Sequence, residues 1–227
     1  LVYTAIVVPL SLLISFSVAV MILPFKKKTQ SVFKAMYYLP GVASGVALSV
    51  VWLWLYDSSP DGLFNQLLNL FGIPAQNWLS STKTSMLSLM IMALLSSHGT
   101  QIITYIAALL SIDNSYFEAA ELDGASRWKR VLNVDLPAIM PTVSIMLIMR
   151  FGTIMTVGYE KVYLMQNDLN LSTSEVISTY VYKTGLGKMQ MSYGSAIDLF
   201  NSVINTIMLL LVNAIVNKLT NGEQGMF

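Results

Sequence analysis

An all-α, polytopic bundle of membrane-spanning helices is the fold class this sequence predicts, and three observations predict it. Of 227 residues, 55% are hydrophobic and 11% charged, and the mean hydropathy of +0.62 is too high for an ordinary soluble domain. The apolar residues fall in runs long enough to cross a hydrocarbon core at about 1.5 Å of rise per residue. The charges are gathered as well: residues 111–140 hold five acidic and three basic side chains, a density that forbids burial in lipid. Composition also excludes several classes. There is no cysteine and one histidine, His98, so neither a disulfide framework nor a thiolate or histidine metal cluster is available, and no bound cofactor is expected. A net charge of +1 gives no basic field for nucleic acid.

The elements follow in order. Residues 1–23 carry no charge and form the first expected span, closed by Pro24 and the flanking Lys26, Lys27 and Lys28. The chain starts without methionine inside this run, which predicts a further span upstream. Residues 32–56 form the second, with a kink at Pro40 and interfacial aromatics Tyr37, Tyr38, Trp52, Trp54 and Tyr56 near its ends. A polar connector, 57–83, contains the turn signal Pro60-Asp61-Gly62 and a short amphipathic stretch, 63–71. Residues 84–110 are the third span, 141–157 the fourth and 195–217 the fifth, with a second polar connector at 158–194 and a tail at 218–227. Together 1–217 constitute one transmembrane domain interrupted by the charged island at 111–140.

Lys and Arg in the connectors set the orientation. One side receives Lys26, Lys27, Lys28, Lys34, Arg127, Lys129, Arg130 and Lys218; the other receives Lys83, Lys161, Lys183 and Lys188. The island is therefore expected in the cytoplasm, with the tail. Within it, Asn114 or Ser115 can cap a helix, and Glu118 three residues after Ser115 completes a capping box. The helix, about 116–123, should stop at Gly124, which tolerates a positive φ. A second helix is expected over 126–134, ended by Leu136-Pro137. The small side chains of Ala119 and Ala120 keep one face slim enough to enter a groove in a partner. An ordinary solvated loop is the competing reading of this spacing.

Glu118-Ala119-Ala120, Gly124, Val134 and Leu136-Pro137 resemble the EAA motif of permease subunits of binding-protein-dependent ABC importers, with Val134 where isoleucine is usual. The resemblance extends outward. The run YYLPGV at 37–42 with VVWLWLY at 50–56, and YIAALLS at 105–111, are similar to sugar permeases of the maltose and glycerol-phosphate type. VGYEKVYL at 157–164 and VISTYVY at 176–182 look more like lipoprotein-associated polysaccharide permeases. The resemblance implies a type I importer permease fold and an alternating-access route for a sugar or oligosaccharide across a bacterial cytoplasmic membrane. It implies as partners a second permease subunit, a dimer of ABC ATPases that binds ATP and magnesium, and an extracellular solute-binding lipoprotein. It gives Glu118, Ala119, Ala120, Leu122, Asp123 and Gly124 the role of coupling to the ATPase. No Gly-x4-Gly-Lys-Ser/Thr phosphate loop occurs, so this chain is expected to be no enzyme, with hydrolysis on the partner. A self-contained secondary transporter or channel is the alternative; it would require internal repeats or several intramembrane charges.

Candidate pathway residues come from polar side chains inside apolar runs. Arg150 lies about nine residues into the fourth expected span, where a cation must face protein or water. Asp198, Asn201 and Asn205, with Ser202, share one helical face, as do Ser97, Gln101 and Thr104 beside His98. These faces either line a cavity or hold helices together by hydrogen bonds. For Arg150 and His98 the structural role is the expected one.

Overall fold

The computed structural model describes residues 2–96, 98–155, 158–220 and 225. Among them every regular element is helical. In chain order these are α1 (Val2–Ile22), α2 (Lys27–Val42), α3 (Gly45–Leu55), α4 (Leu63–Asn69), α5 (Ser85–Ser96), α6 (Gly99–Leu110) and α7 (Asn114–Leu122). Then come α8 (Arg127–Arg130), a π-turn at Val131–Asp135, α9 (Leu136–Phe151), α10 (Tyr159–Met165), α11 (Leu171–Ser174), α12 (Ile177–Val181), a second π-turn at Tyr182–Gly187, and α13 (Met191–Leu219). Among the described residues three helical stretches are individually long and apolar enough to cross a membrane: Tyr3–Ile22, Arg127–Phe151 and Met191–Leu219. The number reaches five if α2 with α3, and α5 with α6, each count as one bent span.

Those two bent pairs revise the second and third expected spans. Pro40 stays inside α2, and the break falls after Val42, because Ser44 adopts an extended conformation and caps α3 by accepting from the Ala47 amide at 3.1 Å. The fourth span is revised at its start. Pro137 does not end a helix; it sits in the first turn of α9, and the helical path runs through it from Arg127. The π-turn makes this passage: the Leu136 amide bonds to the Val131 carbonyl, five residues back, just before the residue that has no N–H to give.

The chain divides into two compact units. Unit 1 comprises residues 1–7, 42–97 and 154–205. Its core is Trp52, Tyr56, Leu79, Leu89, Met92, Val162 and Met165. Trp52 and Tyr56 were expected at a membrane interface; instead they are buried, because at i and i+4 they share the inner face of α3 while Trp54 points outward, 67% exposed. Burial obliges their polar tips to find partners. Trp52 Nε1 donates to Ser96 Oγ at 2.7 Å and the Tyr56 hydroxyl to the Ser88 carbonyl at 2.6 Å.

Two asparagines fasten the connectors of unit 1. Asn65, 1% exposed, donates to the carbonyls of Asp57, Ser59 and Gln76 at 3.0–3.2 Å, and its Oδ1 accepts from the Gln76 amide and Trp78 Nε1 at 2.9 Å. Asn170, equally buried, donates to the Leu79 and Met165 carbonyls and accepts from the Asn167 amide and Ser174 Oγ. Buried amides with every group matched fix irregular chain as firmly as a helix would.

Unit 2 comprises residues 8–41, 98–153 and 206–227. Its main core joins Leu12, Ala19 and Ile22 of α1 to Ile102, Tyr105, Ile106 and Leu109 of α6, with Ile139 of α9. Ile148 of α9 packs with Val212 and Val216 of α13 in a second cluster. Gly99 admits α2 to the start of α6: a Cβ there would lie 2.5 Å from the Tyr37 carbonyl oxygen.

Candidate coupling and pathway sites

The island is built from short-range signals. Asp113, not Ser115, caps α7: its side chain accepts from the Ser115 amide at 2.8 Å, and this bond holds the Asp113 carboxyl below the usual carboxylate range. The expected capping box is replaced by this single Asx-type cap, one residue outside the helix. At the other end Gly124 has φ +66°, its amide bonds to the Glu121 carbonyl at 3.0 Å, and the Ala125 amide reaches back to Ala120 at 2.9 Å. These two bonds are a Schellman motif, which needs a left-handed residue where glycine stands. Ser126 then caps α8 through the Lys129 amide.

The result is a short peg with two different faces. Glu118, Ala119, Leu122, Asp123 and Gly124 are exposed, and Leu122 is 90% so. Ala120 faces inward and is buried. Tyr116, Trp128 and Leu132 add further exposed apolar surface. Trp128 was not singled out from sequence, although an aromatic residue in a charged helical turn is a signal worth reading. Behind the inward face lies a cavity of about 770 Å³.

In unit 2 a polar cluster forms within the apolar helices. The Gln101 carboxamide, turned so that its oxygen meets the guanidinium, accepts from Nε and Nη2 of Arg150 at 2.8 Å each. Its NH₂ donates to Ser15 Oγ at 2.9 Å and to Nδ1 of His98 at 3.2 Å. The reverse orientation would set an NH₂ group against a cation, so chemistry fixes the assignment. Arg150 lies in the last turn of α9, not at mid-span, because the helix starts earlier than expected and stops at Phe151. A helix C-terminus favours a cation, which offsets part of its cost there. The cluster ties α1, α6 and α9 together, and Ser15, wholly buried, is the member that sequence reading missed. Thr104 stands apart from it, with its hydroxyl bonded back to the Thr100 carbonyl at 2.9 Å.

Unit 1 holds the other polar stripe. Along α13 Asp198 is exposed, Asn201 is buried with no hydrogen-bond partner for Oδ1, and Asn205 Oδ1 accepts from the Met155 amide at 3.0 Å. Ser97 lies outside the described residues.

The chain is similar to known proteins along most of its length. The family described as "Binding-protein-dependent transport system inner membrane component" matches residues 1–221. Over 203 residues the chain is 32% identical to the polygalacturonan/rhamnogalacturonan transport system permease protein YteP of Bacillus subtilis, covering 89% of this chain and 61% of that protein. Over 129 residues it is 40% identical to protein LplB of the same organism, covering 57% of this chain and 40% of that protein. The arabinooligosaccharides transport system permease protein AraP, also from Bacillus subtilis, is 27% identical over 200 residues, which are 87% of this chain and 62% of AraP. The chain thus spans 40 to 62% of the length of these relatives. A crystal structure of a bacterial ABC transporter involved in the import of the acidic polysaccharide alginate superposes with a TM-score of 0.85 at 28% identity, over 96% of this chain and 78% of that one. A bacterial alginate ABC transporter in complex with alginate pentasaccharide-bound periplasmic protein gives 0.86 at 27% identity, over 100% and 79%.

Proposed function

This chain belongs to the family of binding-protein-dependent transport system inner membrane components, and from that premise we propose that it is the permease subunit of an ATP-driven importer of a sugar or oligosaccharide. It works in the bacterial cytoplasmic membrane beside a second permease subunit. An extracellular binding protein delivers the cargo, and a dimer of ATPases, which binds ATP and magnesium, drives the cycle. The carbohydrate assignment draws on the relatives named for polygalacturonan, rhamnogalacturonan and arabinooligosaccharides and on the alginate transporters. Family membership displaces the alternative of a self-contained carrier or channel.

One observation carries the coupling reading: α7 is capped at both ends by its own chain yet leaves Leu122 90% exposed, and Trp128 in the next helix is 77% exposed. A rigid peg with an unsatisfied apolar tip is what a mechanical contact requires, since a docking surface gains most from large, preorganised apolar side chains. Closing of the ATPases pushes this peg, and the helices beyond it rock between inward-facing and outward-facing arrangements. Gln101, Arg150, Asp198, Asn201 and Asn205 are candidates for groups along the route.

The test is Gly124→Asp in the assembled transporter. The added Cβ meets open space, but the left-handed backbone strains any L-residue and a new charge stands at the tip. Uptake and cargo-stimulated ATP hydrolysis should fall together while the subunits remain assembled. Unchanged uptake would remove the peg from the mechanism.

A further inference from the structure

The cavity behind α7 belongs entirely to unit 2, where the charged island meets the ends of α1 and α6. Its walls are unlike a packing void. Four charges of balanced sign line it: Arg127 and Arg130, Glu121 and Asp135. Arg130 lies over the Phe117 ring at 5.2 Å, and its buried Nε has no hydrogen-bond partner. Asp135 is only 5% exposed and faces the charge of Arg130, yet among the described residues no hydrogen bond or ion pair within 4 Å joins the two. Burying opposite charges that face each other without a hydrogen bond between them is costly. The i→i+5 closure of the π-turn brings Asp135 round beneath Arg130; in a regular α-helix the two would stand about 140° apart.

The remaining wall is apolar and continues outward: Met21 and Leu110 line the cavity and are 70% and 63% exposed. A ligand that fits both parts has a compact polar end bearing one charge of each sign and an apolar body that leaves along the helices. We propose that this cavity holds the headgroup of a zwitterionic aminophospholipid, with its phosphate on Arg127 and Arg130 and its primary ammonium on Asp135 and Glu121. The acyl chains run past Met21 and Leu110. A purely anionic headgroup would leave both carboxylates unmatched. A choline headgroup carries the positive charge but has no N–H to donate to a buried carboxylate. The proposal rests on the membrane location of the chain and not on the identity of its cargo.

The experiment uses the complete permease, purified with its partner subunits and stripped of lipid. Equimolar phosphatidylethanolamine, phosphatidylcholine and phosphatidylglycerol of matched chains are added, and retained lipid is counted by native mass spectrometry. Phosphatidylethanolamine should be retained about tenfold over either of the others, the value of one charge-assisted hydrogen bond. Asp135→Asn should erase its advantage over phosphatidylcholine, and Arg130→Gln should lower retention of all three. Water-soluble glycerophosphoethanolamine should compete weakly; competition equal to the lipid would reject the acyl-chain part of the site. Equal retention of the three lipids by the unaltered complex, or none because a neighbouring subunit fills the cavity, would overturn the proposal.

Discussion

The connectors of unit 1 and the island of unit 2 are both polar interruptions in an apolar chain, but they end in opposite states. Asn65 and Asn170 gather carbonyls and amides from up to some 90 residues away, and their donors and acceptors are met by their own chain. In the same connectors Trp78 and Leu79 are drawn into the core. The ends of the island's helices are set by local caps at Asp113, Gly124 and Ser126, and it leaves Tyr116, Leu122, Trp128 and Leu132 facing outward. A segment that satisfies itself is finished by folding. A segment that is capped at its ends yet exposes large apolar side chains has the kind of surface a partner would cover.

Three measurements bear on that contrast, and the largest effect is expected in unit 1. Asn65→Ala strands five hydrogen-bonding groups at once and should cost about 2–4 kcal/mol, seen as a lower midpoint of thermal unfolding in detergent. A loss below about 0.5 kcal/mol would mean that the connector does not depend on its hub. Leu122→Asp should behave in the opposite way. Stability should shift by no more than about 0.5 kcal/mol, while retention of the ATPase in pull-down weakens by roughly tenfold, about 1.4 kcal/mol. Undiminished retention would return the island to the status of a solvated loop.

The smallest effect is expected at the cap. Asp113→Ala should speed hydrogen exchange at the first amides of α7 and leave the rest of the island unchanged. The Ser115 amide lowers the Asp113 pKa, so the cap's contribution is complete above the ordinary carboxylate range and is lost only as pH falls below it. Protection in α7, corrected for intrinsic rate, should therefore be constant over about pH 6 to 8. Exchange at Ser115 that ignores the substitution would transfer the capping role elsewhere.

Legibility in the sequence followed the range of the forces involved. The helices α1 and α13 and the stop at Gly124 were readable, because hydropathy and a helix-ending glycine act within a few residues. The bend in the second span was expected at Pro40 and falls just beyond it, after Val42; the break between α5 and α6 was not readable, since both helices are apolar and a hydropathy reading runs straight through. Ser44 before Gly45 was a second local sign, a cap hidden inside a span. The hubs at Asn65 and Asn170 and the role of Ser15 were invisible for a different reason: their partners are distant in sequence, and an asparagine or serine alone does not announce what it will meet. Arg150 was found, and its partner Gln101 was placed on a separate stripe, because only folding brings α6 and α9 side by side.

The π-turn at Val131–Asp135 fits one more residue into its path than an α-helix would use. Its effect is one of phase. Each residue of an α-helix turns the chain by about 100°, and the i→i+5 closure absorbs one residue within a single turn, so α7 keeps nearly the phase about the axis of α9 that a helix one residue shorter would give it. A deletion inside the π-turn can be taken up by a return to α-helix, whereas a deletion in α9, which has no residue to spare, would turn the peg by about 100°.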